Sequence, residues 1–109
     1  MENTYAWADE LNCAVTVCDM EGIVLYQNAH SRDVNGDVRG SSLIPCHNER
    51  SRDIIAHLLS EGGTNAYTID KKGIRKLIYQ TVWRREGAIC GLVEFSLEIP
   101  AEMPHYIRG

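Results

Sequence analysis

Asp19-Met20-Glu21-Gly22-Ile23-Val24-Leu25-Tyr26-Gln27-Asn28 is the stretch on which the fold turns. Gly22 supplies a turn, and Ile23-Val24-Leu25-Tyr26 after it is apolar and β-prone. Before it stands Cys13-Ala14-Val15-Thr16-Val17-Cys18, also apolar and β-branched. Two such runs joined by a short glycine turn read as a β-hairpin. Toward the N-terminus, residues 4–11 read as a short amphipathic helix, with Tyr5, Ala8 and Leu11 on one stripe and Trp7 beside it. A helix that short is unstable alone and must pack on something.

Toward the C-terminus, residues 28–45 carry no long period. Gly36, Gly40 and Pro45 punctuate them, and only short helical turns are expected. A longer helix then begins, capped by Asn48 or Ser51, with Ile54, Ile55, Leu58 and Leu59 at helical spacing and Gly62-Gly63 at its end. The rest is β: residues 64–69, 74–84 and 88–99, separated by turns at Lys72-Gly73 and Glu86-Gly87 and stopped by Pro100. Turns this short force antiparallel neighbours. The class is therefore α+β, divided as an N-terminal helix over 1–11, one domain over 12–99 and a tail over 100–109. In the last strand Val93, Phe95 and Leu97 share one face while Cys90 and Leu92 share the other. A strand apolar on both faces is covered on both. The middle helices cover one; the N-terminal helix or a second subunit must cover the other.

The chain has 109 residues, enough for one hydrophobic core and too few for two. A formal net charge of −4 argues against a nucleic-acid partner, which would need clustered Lys and Arg. Lys71-Lys72 and Arg84-Arg85 each lie beside a turn glycine and read as solvated hairpin ends. No apolar run approaches the ~20 residues that span a bilayer, and the first residues lack the basic start of a signal peptide. A cytoplasmic protein with no membrane partner is expected. The four cysteines read as reduced thiols, since Cys13 and Cys18 fall on opposite faces of one strand.

The order of elements resembles a PAS domain. Residues 19–28 resemble its opening hairpin, roughly Asp-x-x-Gly-x-Ile-x-x-x-Asn. Gly40-Ser41-Ser42-Leu43 stands where Gly-x-x-Leu precedes the long helix, and Leu58-Leu59-Ser60-Glu61-Gly62 is similar to that helix's end. The resemblance covers about residues 11–99. It implies a five-stranded antiparallel sheet in the order 2-1-5-4-3 with helices mainly on one face. Pro45-Cys46-His47 and Gly91-Leu92-Val93-Glu94 are similar to a subgroup with Cys-His before the long helix, and the tail looks like that of small free-standing bacterial PAS proteins. Pro100 and Pro104 would interrupt the signalling helix that often follows a PAS domain.

Cys46-His47 is the sharpest chemical feature. A thiol beside an imidazole can ligate a metal or haem iron, form a nucleophile pair, line a pocket, or simply pack and cap a helix. Zinc would want four ligands, and no second pair is spaced to supply them. Counting by helical turns places His47 and Ser51 on the face of Ile54 and Leu58, which in a PAS domain looks into the cavity. Cys46, His47, Ser51, Ile54, Leu58 and, on the central strand, Glu94 are thus the candidate ligand-binding residues. Aligning the helix with haem-sensing PAS domains puts the iron-ligating position at Ala56. His57 is one residue away, a rotation of roughly 100°, and is read as a surface residue. Residues 43–48 lack the Arg and Gln of the flavin-binding motif. No catalytic set, metal site or named cofactor emerges. The expected function is sensory: binding of a small ligand or a signalling protein, acting through a homodimer. The alternatives are a haem- or metal-dependent redox sensor using Cys46 and His47, and an adaptor with no ligand.

Overall fold

The computed structural model describes residues 4–42 and 49–109. In chain order it holds β1 (Ala14–Asp19), β2 (Val24–Gln27), α1 (Ala29–Asn35), α2 (Glu49–Glu61), β3 (Thr64–Lys71), β4 (Ile74–Arg85) and β5 (Ala88–Glu98). The strands form one sheet in the order β2-β1-β5-β4-β3, with every neighbouring pair antiparallel. This is the expected α+β architecture.

The opening hairpin shows why its residues are what they are. Asp19 Oδ1 accepts from the backbone N–H of Glu21 (2.9 Å) and of Ile23 (3.0 Å), closing the turn over itself. Gly22 takes φ +80°, a conformation that costs a side-chain-bearing residue about 1–2 kcal/mol. Asn28, fully buried, ends the motif. Its Oδ1 accepts from the N–H of Val15 and of Ser31, and its Nδ2 donates to the carbonyls of Ala8 and Cys13. One side chain therefore caps α1 and ties the N-terminal segment to β1.

That segment departs from expectation. Over the described residues 4–10 it is a run of turns, not a helix. Its backbone bonds run from Ala8 to Tyr5, Asp9 to Ala6 and Leu11 to Ala8, three residues back rather than four. Too short to propagate a helix, it is held by tertiary bonds instead. Asn28 takes the Ala8 carbonyl, the Ala29 N–H takes that of Asp9, and Tyr5 stacks on Tyr26 at 4.3 Å between ring centroids. Tyr26 also donates its hydroxyl to Asp9.

The core lies between α2 and the sheet: Ile55, Leu58 and Leu59 pack with Cys18, Val24 and Leu92, flanked by Val38, Ile54 and Val82. The Gly62 N–H closes the helix on the Leu58 carbonyl at 2.7 Å. Alternation in β5 holds as expected: Leu92 enters this core, while Val93 and Phe95 line the opposite face beside Val15, Val17 and Trp83. Leu58 is core, Ile54 is half-buried at its edge, and Val93 belongs to the other face. Among the described residues no helix is long and apolar enough to cross a membrane.

Candidate functional site

Register aligns one polar side chain from each strand in a single row beneath the helices. Gln27 on β2 stands beside Thr16 on β1, Thr16 beside Glu94 on β5, Glu94 beside Gln80 on β4, and Gln80 beside Asn65 on β3. Gln27, Thr16 and Gln80 are buried, whereas Glu94 and Asn65 are half-buried. Neighbouring strands place such side chains within reach of each other. Gln80 Nε2 donates to Glu94 Oε1 at 2.8 Å, and Asn65 Nδ2 donates to Gln80 Oε1 at 3.0 Å. At the other end Thr16 and Ser31 share a hydroxyl bond of 2.7 Å, and Gln27 Nε2 donates to Ser31 Oγ and the Gly36 carbonyl.

A cavity of about 330 Å³ opens over the β3 end of the row. The start of α2 contributes Arg50, Ser51 and Ile54; β3 contributes Asn65, Ala66 and Tyr67; Gln80 adds its amide from β4. The Tyr67 hydroxyl is pushed up from the usual phenol value by burial and, secondarily, by the Glu94 charge. It therefore stays protonated and able to donate. Cys18, in the core, is likewise raised, mainly by burial. Among the described residues no three His, Cys, Asp or Glu side chains gather as a metal would require.

Of the expected site residues, Ser51 and Ile54 lie on the cavity wall. Glu94 is one hydrogen bond behind it, through Gln80. Leu58, two helical turns beyond Ser51, packs in the core against Cys18 and Leu92 rather than on the wall. Cys46 and His47 lie outside the described residues. His57 and Ala56 are exposed on α2. Arg50, Asn65, Tyr67 and Gln80 were missed. Strand pairing was the signal for three of them: pairing 64–69 antiparallel to 74–84 puts Asn65 opposite Gln80.

The opposite face carries a second depression of about 410 Å³, lined by Tyr5 and Trp7 of the N-terminal segment and by Val15, Trp83, Val93 and Phe95 of the sheet. Trp7 is 65% exposed, and Tyr79 and Leu97, on the same sheet face, are exposed as well.

No protein-family model matches the chain, and no curated protein matches it in sequence. Solved structures do. Vibrio cholerae VqmA, described as a dimer whose conformation shifts without target DNA, superposes with a TM-score of 0.67 at 16% identity over 84% of this chain; the match spans 48% of VqmA, about half its length. The Aer2 receptor of Vibrio cholerae, described as a dual PAS-heme oxygen sensor, gives 0.62 at 16% identity, covering 82% of this chain and 96% of that one. The PAS domain of an HTR-like protein from Haloarcula marismortui gives 0.58 at 15% identity, covering 86% and 92%. At such identities the likeness speaks of fold, and the fold of this chain is that of a PAS domain.

Proposed function

We propose that the chain is a sensory module that binds a small molecule in the cavity between α2 and β3–β4 and passes that event to a contact with a second copy of itself. The observation carrying the first half is Gln80. It is 2% exposed, at the cavity wall, and held on both sides by Asn65 and Glu94. Immobilising a glutamine costs about 1.5–2 kcal/mol of side-chain entropy, and its amide must be kept paired once out of water. A leucine would fill the same place for about 0.5–1 kcal/mol of entropy and with no amide to pair. Polar groups fixed at a cavity wall are what orient a ligand. Ser51 and Ile54 belong to this site, with Glu94 behind Gln80.

The second half rests on the outer face. Trp7, Tyr79 and Leu97 expose apolar surface around the depression that the N-terminal segment only partly roofs, and exposed patches of this kind mark contacts. A symmetric pair is the ordinary solution for a homo-oligomer. Ligand binding shifts the balance between sheet conformations to the extent that the ligand prefers one of them. In this reading the chain binds and does not catalyse, and a signalling protein reads its state.

Native mass spectrometry of the purified full chain tests both halves. The expected result is a dimer mass with a small molecule retained. A bare monomer at micromolar concentration, unchanged when residues 1–10 are deleted, would sink the dimer. Cavity-filling by Ile54→Trp with ligand retention unaltered would sink the site.

A further inference from the structure

We propose that this cavity selects a small organic acid bearing a hydrogen-bond-donating substituent, through Arg50 and an amide chain whose direction Glu94 sets. The inference rests on the small-molecule reading above and names the class of ligand.

Size comes first. At about 30 Å³ per water-sized group, a 330 Å³ cavity holds on the order of ten non-hydrogen atoms. Charge comes next. Arg50 lines the cavity and forms no ion pair or hydrogen bond with a described residue. Among the described residues no acidic side chain lines the wall beside it. Tyr67 on the same wall keeps its proton and has no hydrogen-bond acceptor among the described residues. A guanidinium and a phenol donor together suit a carboxylate, which a guanidinium holds through two parallel bonds. Ile54 and Ala66 leave room for an apolar body.

The third element is direction. A carboxylate oxygen only accepts, so the group that Gln80 turns toward Glu94 must be its NH2. Gln80 Oε1 is then the atom facing β3, and it must be met by the NH2 of Asn65. Asn65 Oδ1 is left as an acceptor with no partner among the described residues, on a side chain at the cavity wall. Two amides relay the polarity of one carboxylate across three strands. A ligand hydroxyl or amino group satisfies Asn65 Oδ1; a carbonyl in its place repels it. Glu94 touches no ligand and acts as a positioning residue.

Mandelate, phenylglyoxylate, mandelamide and benzylamine separate these elements in the full chain. Affinity is read by calorimetry, and location by the side-chain amide resonances of Asn65 and Gln80. Mandelate is expected to move both resonances and to bind about tenfold more tightly than phenylglyoxylate, which lacks the donor, and than mandelamide, which lacks the charge. Arg50→Gln should bring mandelate and mandelamide together. Glu94→Gln, which can donate or accept, should shrink the preference for mandelate over phenylglyoxylate to within about threefold while the fold, read by circular dichroism, persists. Equal binding of mandelate and mandelamide, or of mandelate and phenylglyoxylate, to the unaltered protein overturns the proposal. So does a preference that survives Glu94→Gln. If benzylamine or mandelamide moves the amides and mandelate does not, the class is wrong and the small-molecule reading stands. If none of the four moves them and native mass spectrometry shows only bare protein, both fall.

Discussion

Replacing Gly91 with alanine should damage the centre of the sheet although it adds one methyl group. Gly91 lies on β5 opposite Asp19 of β1 and Trp83 of β4. The Trp83 indole crosses over it, and its Nε1–H donates to the Cys18 carbonyl at 3.0 Å. A Cβ on residue 91 would fall 1.9 Å from that carbonyl oxygen and 2.6 Å from the indole nitrogen. The carbonyl belongs to the β1 ladder and cannot swing aside, so β1 and the indole must both shift. Overpacking a tight site costs about 1–3 kcal/mol, and losing the indole bond adds about 0.5–1.5 kcal/mol. The expected total is about 1.5–4.5 kcal/mol.

Urea unfolding followed by tryptophan fluorescence and by circular dichroism measures this. For a domain of this length the melting point should drop by at least about 6 °C. Trp83→Phe removes the indole N–H and spares the backbone, so it should cost less than half as much. If Gly91→Ala lies within about 0.5 kcal/mol of the unaltered protein, the range of a harmless surface change, the close approach of β1, β4 and β5 at this point is wrong.

Leu58→Ala should destabilise by about 2–5 kcal/mol, because Leu58 is 3% exposed inside the core cluster; an unchanged unfolding midpoint would contradict the phase of α2. Tyr26 has its phenol raised far above the ordinary 10.0, by burial first and then by the hydrogen bond to Asp9. A folded value above the unfolded one stabilises fully below pH 10 and is lost as pH climbs beyond it, so stability should fall as pH rises above 10, and fall less in Tyr26→Phe; equal losses would refute the tyrosine's part. His57 is exposed on α2, so a Soret band seen on adding haem should survive His57→Ala; a band that vanishes in that variant but persists in His47→Ala would place the iron on α2 after all.

The strand and helix order was legible because each boundary is written locally. The Asp19-to-Gly22 turn satisfies its own backbone, Gly62 closes α2 on Leu58, and short turns at Gly73 and Gly87 leave antiparallel pairing as the only option. The N-terminal segment was misread for the same reason in reverse. Its stripe of Tyr5, Ala8 and Leu11 is a fair local signal for a helix, but what decides its conformation is Asn28, twenty residues away, taking the Ala8 carbonyl. Helical spacing pointed to Ser51 and Ile54, which lie on the wall of the candidate cavity, and to Leu58, which lies deeper along α2 where Cys18 and Leu92 close over it. Nothing within β4 alone distinguishes Gln80 from a solvent-facing glutamine; only its pairing opposite Asn65 marks it.

Its meaning comes from the row, and the row is not uniform. Toward β2 it is sealed: Gln27 and Ser31 are fully buried, Thr16 is nearly so, and both ends of the Gln27 amide are taken, Nε2 by Ser31 Oγ and the Gly36 carbonyl, Oε1 by the Val38 N–H. There α1 lies over β1 and β2 and brings Ser31 down as the partner, so the polar layer serves to fix α1 on the sheet. Toward β3 no described helix residue bonds into the network; α2 packs its apolar face on β5 and β4, and the amides of Gln80 and Asn65 end at the cavity beside Arg50. The same residue types in the same register are thus structural where a helix completes their bonds and available where one does not. The Asn65 acceptor, bonded to no described residue at the cavity end of the row, is what the proposed site rests on.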